Sequence, residues 1–428
     1  MAGRHSGEYY SNHMYPVIQE PYNEKLPLLS PESDGRDANT GKNKLWRLLR
    51  GVDWLSPLLT VGVVTGVATQ TVSLPLWLKT FDAKSGGPYF VLIFCSFVFA
   101  VGFGLHTGIW KLIGYGRNTP AFRTYWWMLI LNGVFNGLNG LLLVYASPEN
   151  RTPPLLQPLL VNTGILWSMI CTRIFIGKKD GALPYLRWEP ILALVLVVSG
   201  IMLSLSPTIH AVVEGKQKLM QHDGGLMWAF IFMLAVAPGA IANVVQEKFL
   251  KTRARKVEET GEDRNRSYDM LVMLWWGSVF QFLTLAFCWW MDTIPHYGFS
   301  ETPKDVYINL GNSFKCFFGV SDGCEQCWWH GVIFIAGFFC TYYCAAGLNE
   351  SSANYNLIAT TLGSPAAAFF WIIFPSLTNS EKTPLWSVLP ALFLLMVGSF
   401  LWKWWENRER AKMAAAQKTV GEELSINI

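Results

Sequence analysis

Charge is what this sequence lacks. Of 428 residues only 15% are Asp, Glu, Lys or Arg, against about 25% in a soluble globular protein. So few charged side chains cannot clothe a water-soluble fold of this size, which excludes a soluble enzyme. The charges present are segregated: the first 50 residues and the last 25 hold many, and long stretches between them hold almost none. Catalytic signatures are missing as well. The sequence has no H-E-x-x-H, no G-x-S-x-G and no paired acids within an apolar run, so a membrane enzyme is not expected. Neither cofactor nor metal is expected. A net charge of +4 gives no ground for nucleic-acid binding, because topology explains the excess.

Apolar residues are abundant: 51% of the chain is hydrophobic, 14% is aromatic, and there are 20 Trp. Ten runs approach the roughly 20 residues needed to cross a bilayer, near residues 56–78, 88–113, 125–146, 155–176, 188–207, 225–249, 271–291, 329–349, 355–377 and 385–405. Backbone groups in lipid must be satisfied within their own segment, so these runs are helices. The expected fold is therefore an all-α polytopic membrane protein embedded in lipid. Lys and Arg gather before the first span, in the even-numbered loops and after the tenth span, for example Lys44, Arg47, Lys178, Lys179, Arg253, Arg255, Arg408 and Arg410. Both termini are thus expected in the cytosol.

Residues 1–51 are polar and charged, without the apolar core of a cleavable signal peptide, and read as a disordered cytosolic tail. Residues 52–210 and 225–405 read as two five-helix halves, and 406–428 as a second cytosolic tail. Trp404–Lys418 is expected to form a short interfacial helix, Lys251–Ser267 a solvated cytosolic loop, and 292–328 a long loop on the other side. Two short signals add to this. Glu24-Lys-Leu-Pro-Leu28-Leu29 matches an acidic dileucine signal, read by clathrin adaptors that route proteins to lysosomes or vacuoles. Asn150-Arg-Thr152 is a glycosylation sequon, here followed by Pro153.

The halves echo each other. Trp188 and Gly200 of the fifth span recur as Trp386 and Gly398 of the tenth, an offset of 198 that also superposes Ala193 on Ala391, Leu194 on Leu392 and Leu196 on Leu394. Five spans per half force the halves into opposite orientations, the inverted-repeat plan of many secondary transporters, with substrate bound near the midplane between them.

Several stretches then resemble a known family. Pro238-Gly-Ala-Ile-Ala-Asn243-Val-Val-Gln246-Glu247, Ser278-Val-Phe-Gln281-Phe-Leu-Thr284, Asn309 to Cys316, Cys324-Glu-Gln-Cys327, Asn354-Tyr-Asn and Gly363-Ser-Pro365-Ala are similar to the chloroquine-resistance transporter family, a branch of the drug/metabolite transporter superfamily. The likeness spans about residues 52–405 and is most specific from 225 to 375. It implies ten helices around a central cavity, with the long seventh loop on the vacuolar or luminal side. It also implies export of small organic solutes from an acidic vacuole or lysosome: amino acids, short peptides or, as in plant relatives, glutathione. Proton coupling would drive it. In that family the loop cysteines form nested bridges; one cysteine of the pattern is absent here, so the resemblance implies Cys316–Cys327, with Cys324 free or paired with Cys288. A metal site is the alternative, but only His330 lies near.

The polar residues inside spans are the candidate substrate cavity. Asn132, Asn136 and Asn139 share one helical face, either as interhelical glue or as a cavity wall. Thr65, Thr69 and Gln70 are the polar candidates of the first span, and Asn162 falls in a region that lines the cavity in the resembled family. Asn243, Gln246, Gln281, Tyr342, Thr360, Thr361 and the helix-breaking Pro365 complete the set. Glu247, nearly alone as an acid within a span, is either the proton-coupling group or an ion-pair partner of Lys251 one turn on. No Lys or Arg lies deep in a span, which disfavours the second reading, a nucleotide-sugar or triose-phosphate antiporter. A third, a non-transporting membrane sensor, stays open.

Overall fold

The computed structural model describes residues 55–81, 87–114, 125–175, 187–214, 226–260, 266–321, 323–351, 353–377 and 385–426. The expected N-terminal tail, with Glu24, Leu28 and Leu29, lies outside them. Among the described residues the fold is helical: α1 Leu55–Lys79, α2 Gly87–Leu112, α3 Trp126–Ala146, α4 Gln157–Val161, α5 Gly164–Phe175, α6 Trp188–Val213, α7 Leu226–Thr260, α8 Arg266–Phe287, α9 Pro303–Phe317, α10 Cys327–Ser351, α11 Ala353–Ile373 and α12 Leu385–Ile426. Nine of these, all but α4, α5 and α9, are long and apolar enough to cross a membrane, at positions close to the apolar runs.

Glycine sets the closest crossings. A Cβ added to Gly66 of α1 would fall 2.7 Å from the Gly337 carbonyl of α10, and one added to Gly133 of α3 would fall 2.7 Å from the Gly277 carbonyl of α8. With no side chain in the way, backbones approach and dispersion contacts replace the hydrophobic drive that lipid cannot supply. The α6–α12 crossing is reciprocal. Gly200 faces the Ala391 carbonyl, Leu394 and Leu395, while Gly398 faces the Ala193 carbonyl, Leu196 and Val197.

One end of the bundle carries α9 and the cysteines, and is called the Cys-loop face. Thr302 and Asp305 form a capping box that starts α9. Its apolar side then lays Phe314 and Phe317 on Phe90 and Phe94 of α2, and Phe317 on Trp77 of α1. Nothing in the loop's mixed composition announced this helix.

Four expectations need correction. The disulfide is Cys316–Cys324, with Cα atoms 5.1 Å apart, not Cys316–Cys327. Cys327 instead opens α10, fully buried, and both it and Cys288 are free thiols. A short turn returns from the end of α9 and brings Cys324 alongside Cys316 before α10 begins. The solvated loop shrinks at both ends: α7 runs to Thr260 and α8 starts at Arg266, with buried Arg253 held 3.2 Å from Asp269. The segment after Trp404 continues α12 to Ile426 instead of forming a separate helix. Within it, Lys412 meets Glu409 at 2.7 Å.

The fourth correction concerns the run 155–176, which is not one helix. Between α4 and α5 the backbone tightens from i→i−4 to i→i−3 bonding, as Asn162 N donates to Leu159 O and Thr163 N to Leu160 O. The Asn162 amide bonds back to Pro158 O and Leu159 O, and the Thr163 hydroxyl to Leu160 O. Short polar side chains that compete for the backbone in this way weaken a helix where they sit.

Candidate functional site

The tightened turn faces a second irregularity. Pro365 in α11 has no N–H, so the carbonyl one turn back, that of Thr361, loses its helical donor. Asn162, Thr361 and Pro365, with Leu362 and with Leu392, Leu395 and Met396 of α12, line one recess of about 10 Å³, room for a single water. Ser364 Oγ also donates to Asn162 Oδ1 at 3.5 Å, a contact between α11 and the tightened turn. At 1.5 Å per residue, Pro365 lies roughly 18 Å along α11, near the middle of a helix of about 31 Å. Asn162, Thr361 and Ser364 are buried. The recess is therefore uncharged, part polar, and set at mid-depth.

A proline also interrupts the hydrogen-bond ladder of α7. Around Pro238, the Ala235 carbonyl accepts from Asn139 Nδ2 at 2.7 Å, and the Met233 carbonyl accepts from Trp167 Nε1 at 3.2 Å and from Thr163 Oγ at 3.4 Å. Donors from α3, α5 and the α4–α5 turn thus meet backbone oxygens beside Pro238, as polar groups in lipid require.

At the end opposite the Cys-loop face, carboxamides form a cluster. Asn132 Oδ1 accepts from Asn136 Nδ2 at 3.1 Å and from Gln246 Nε2 at 3.0 Å. Asn349 Nδ2 donates to Gln246 Oε1 at 2.8 Å and to Asn243 Oδ1 at 3.0 Å, and Asn356 Nδ2 reaches the same Asn243 oxygen at 3.3 Å. The cluster joins α3, α7, α10 and α11. Beside it, Glu247 Oε1 accepts from Lys251 Nζ at 2.6 Å, and Oε2 accepts from the Ala353 N–H that opens α11, at 2.8 Å. Both carboxylate oxygens are engaged in structural contacts, so the ion pair weighed for Glu247 is formed in this conformation.

A third polar group bridges α10, α8 and α2. Tyr342 OH donates to Gln281 Oε1 at 2.8 Å, and Gln281 Nε2 donates to Ser96 Oγ at 3.2 Å. Gln70 Nε2 contacts Thr341 Oγ at 3.4 Å between α1 and α10.

The Cys-loop face is built differently, around charge. Buried Arg151 donates to the Tyr145 carbonyl at 2.8 Å and lies between the rings of Trp228 and Phe299, 4.0 and 4.2 Å from their centroids. Asp292 accepts from Tyr145 OH at 2.7 Å, from Ser300 Oγ at 2.5 Å and from the Phe299 N–H at 3.3 Å. Tyr297 stacks on Tyr145 and donates to Leu141 O at 3.1 Å. Burial pushes its phenol well above the usual range; Arg151 pulls it down, and Asp292 raises it again.

Thr65 does not join any of these groups: its hydroxyl returns to Val61 O of its own helix, on an exposed side of α1. Thr360 likewise bonds Asn356 O, and Thr361 bonds Ile358 O, although Thr361 does line the recess. Thr69 packs against Gly337. Asn150 is exposed, while Arg151 and Thr152 of the same sequon are buried. Asn349, Ser96 and Asp292 were not among the expected site residues, and Asn356 and Arg151 entered only as parts of a family motif and a sequon. Asn349 and Asn356 sit near helix ends, where a polar residue looks solvated, and only the fold turns them inward.

A family model, chloroquine-resistance transporter-like, matches residues 88–402. The chain belongs to the chloroquine-resistance transporter-like family. It is accordingly a membrane transporter of the drug/metabolite type. The match covers both the α4–α5 turn and the amide cluster of this family member. No curated protein matches the chain. A crystal structure, titled only as that of a protein, aligns with 12% identity over 81% of this chain and 98% of its own, with a TM-score of 0.40, too low a likeness to argue from.

Proposed function

We propose that the protein is a secondary transporter of small organic solutes. It has ten spans in two inverted halves, the split α4–α5 segment being the fourth, and alternating access occurs around the mid-depth recess. The observation that carries this reading is the pairing of the tightened turn at Asn162 with Pro365 across an uncharged recess. These irregularities fall in the fourth and ninth spans, corresponding positions of the two halves, where such transporters place their sites. The reciprocal Gly200 and Gly398 crossing supports the same pseudo-symmetry. The recess is neutral, lined mainly by Leu, Met and Pro with one amide and one hydroxyl, and has room for a single water in this conformation. Opened by alternating access, it would admit amino acids, short peptides or glutathione more readily than phosphates. Phosphorylated solutes call for cationic side chains, and none lines it. Export from an acidic vacuole or lysosome, driven by protons, is the physiological setting we assign, with both termini cytosolic and the Cys-loop face luminal. Glu247, the acid within the sixth span, is the proton-coupling group of this reading, and its pairing with Lys251 and Ala353 would have to open during the cycle.

Uptake by proteoliposomes tests this directly, with and without a pH gradient and with a panel of amino acids, di- to tetrapeptides, glutathione and a nucleotide sugar. Gradient-stimulated movement of amino acids or peptides, lost in Asn162→Leu, is expected. Movement of the nucleotide sugar alone would overturn the reading.

A further inference from the structure

Two acceptors of the amide cluster are unmet. Asn132 Oδ1 and Asn243 Oδ1 each accept two amide hydrogen bonds, and Gln246 Oε1 accepts one. Asn349 Oδ1 and Asn356 Oδ1 accept none among the described residues, although the two side chains are only 0% and 2% exposed. A buried carbonyl oxygen without a donor costs about 1–3 kcal/mol. Turning the Asn349 carboxamide over brings no relief. Asn349 Nδ2 already serves two oxygens, so a reversed Asn349 would set its own oxygen against both of them.

Both oxygens belong to one neighbourhood, because the nitrogens of their carboxamides lie 3.0 and 3.3 Å from the same Asn243 oxygen. What fits there is a group rich in N–H and free of acceptors. An ammonium has three donors and no lone pair to place. Glu247, next in sequence to Gln246, contributes negative charge to this end of α7, balanced by Lys251 at 2.6 Å. An anion would meet only oxygens.

We propose that Asn349 and Asn356, with Asn243, form a binding site for a primary ammonium group. Resting on the transporter reading, we take that group to be part of the carried solute. Asn349 also bridges Asn243 and Gln246, so an ammonium that draws its oxygen would reorganise the contacts joining α7, α10 and α11. The site is enclosed in this conformation and loads when that end of the bundle opens.

The test compares three probes on the full chain in nanodiscs at about pH 6, where an α-amine is protonated. They are L-leucinamide; its trimethylammonium derivative, which keeps the charge but has no N–H on the cationic nitrogen; and 4-methylpentanamide, which lacks the amine. Leucinamide is expected to bind at least tenfold more tightly than either analogue. Asn349→Leu and Asn356→Leu should abolish that preference. Asn356→Asp, which restores an acceptor and adds charge, should keep or strengthen it, and this shows that loss in the Leu variants is not misfolding. Equal binding of all three probes, or unchanged preference in both Leu variants, would overturn the proposal and leave water as the occupant. Uptake measured on the same preparations separates the two readings. Solute transport with no cluster-dependent leucinamide binding defeats the ammonium site alone. Cluster-dependent binding with no uptake of any solute supports the site and defeats the transporter reading.

Discussion

Two buried polar groups, one toward each end of the bundle, satisfy their atoms with different chemistry. At the Cys-loop face, a buried guanidinium and a buried carboxylate are fixed through Tyr145, which gives its carbonyl to Arg151 and its hydroxyl to Asp292. At the other end, neutral amides exchange hydrogen bonds among four helices. Buried charges cannot change partners cheaply, because any intermediate arrangement strands an ion in low dielectric. Carboxamides can, since each offers both donor and acceptor and carries no net charge. On this physical ground we expect the charged group to act as a lock and the amide cluster to be the part that rearranges.

The sharpest way to break this comparison is Asp292→Leu. It strands the Tyr145 and Ser300 hydroxyls and the Phe299 N–H, and removes the carboxylate from the same end as Arg151. We expect a loss of about 3–5 kcal/mol, read as a large fall in the thermal unfolding midpoint; a loss below about 1 kcal/mol would mean that this end is no lock. Gln246→Leu, by contrast, removes a neutral link that other amides can replace. It is expected to cost only about 1–2 kcal/mol yet to lower solute uptake at least tenfold, since Gln246 joins α7 to both α3 and α10. Equal damage to stability and to uptake in both variants would erase the distinction.

A smaller effect is expected from Cys324→Ser, which opens the bridge to Cys316. The closed loop is short, so the loss should be about 2 kcal/mol and confined to the Cys-loop face. Peptide mapping of the wild type should recover Cys316 joined to Cys324, with Cys327 alkylated only after unfolding. The smallest effect concerns pH. Burial raises the Tyr297 phenol above its ordinary value, so its contribution to stability is complete below about pH 10 and is lost only as pH rises through the folded value. Stability attributable to Tyr297 should thus be flat from about pH 5 to about pH 9, comparing wild type with Tyr297→Phe. A step within that window would contradict its burial.

Much of the fold was legible because the bilayer demands it. A long apolar run needs no partner to be recognised, and the one from Trp188 to Pro207 announces its length by composition alone. Legibility fails where polar side chains act on their own backbone. Asn162 and Thr163 look like two more polar residues in a span, yet they tighten the chain and split it. The Asn132, Asn136 and Asn139 stripe was visible by spacing, but its members part company: Asn132 and Asn136 join the amide cluster, whereas Asn139 caps a carbonyl near Pro238. Thr65 shows the converse, a hydroxyl satisfied at home on its own helix.

Sequence by itself determined the class of molecule, the placing of its long helices and its family, because length, apolarity and local motifs are properties of consecutive residues. Tertiary structure alone decided which polar atoms find partners. Hydrogen bonding is short-ranged and directional, so the meeting of Asn162 with Pro365 and the unmet acceptors at Asn349 and Asn356 exist only once distant helices are brought within about 3 Å. The choice of Cys324 over Cys327 follows the same logic, since a disulfide forms only where the folded chain sets two sulfurs side by side.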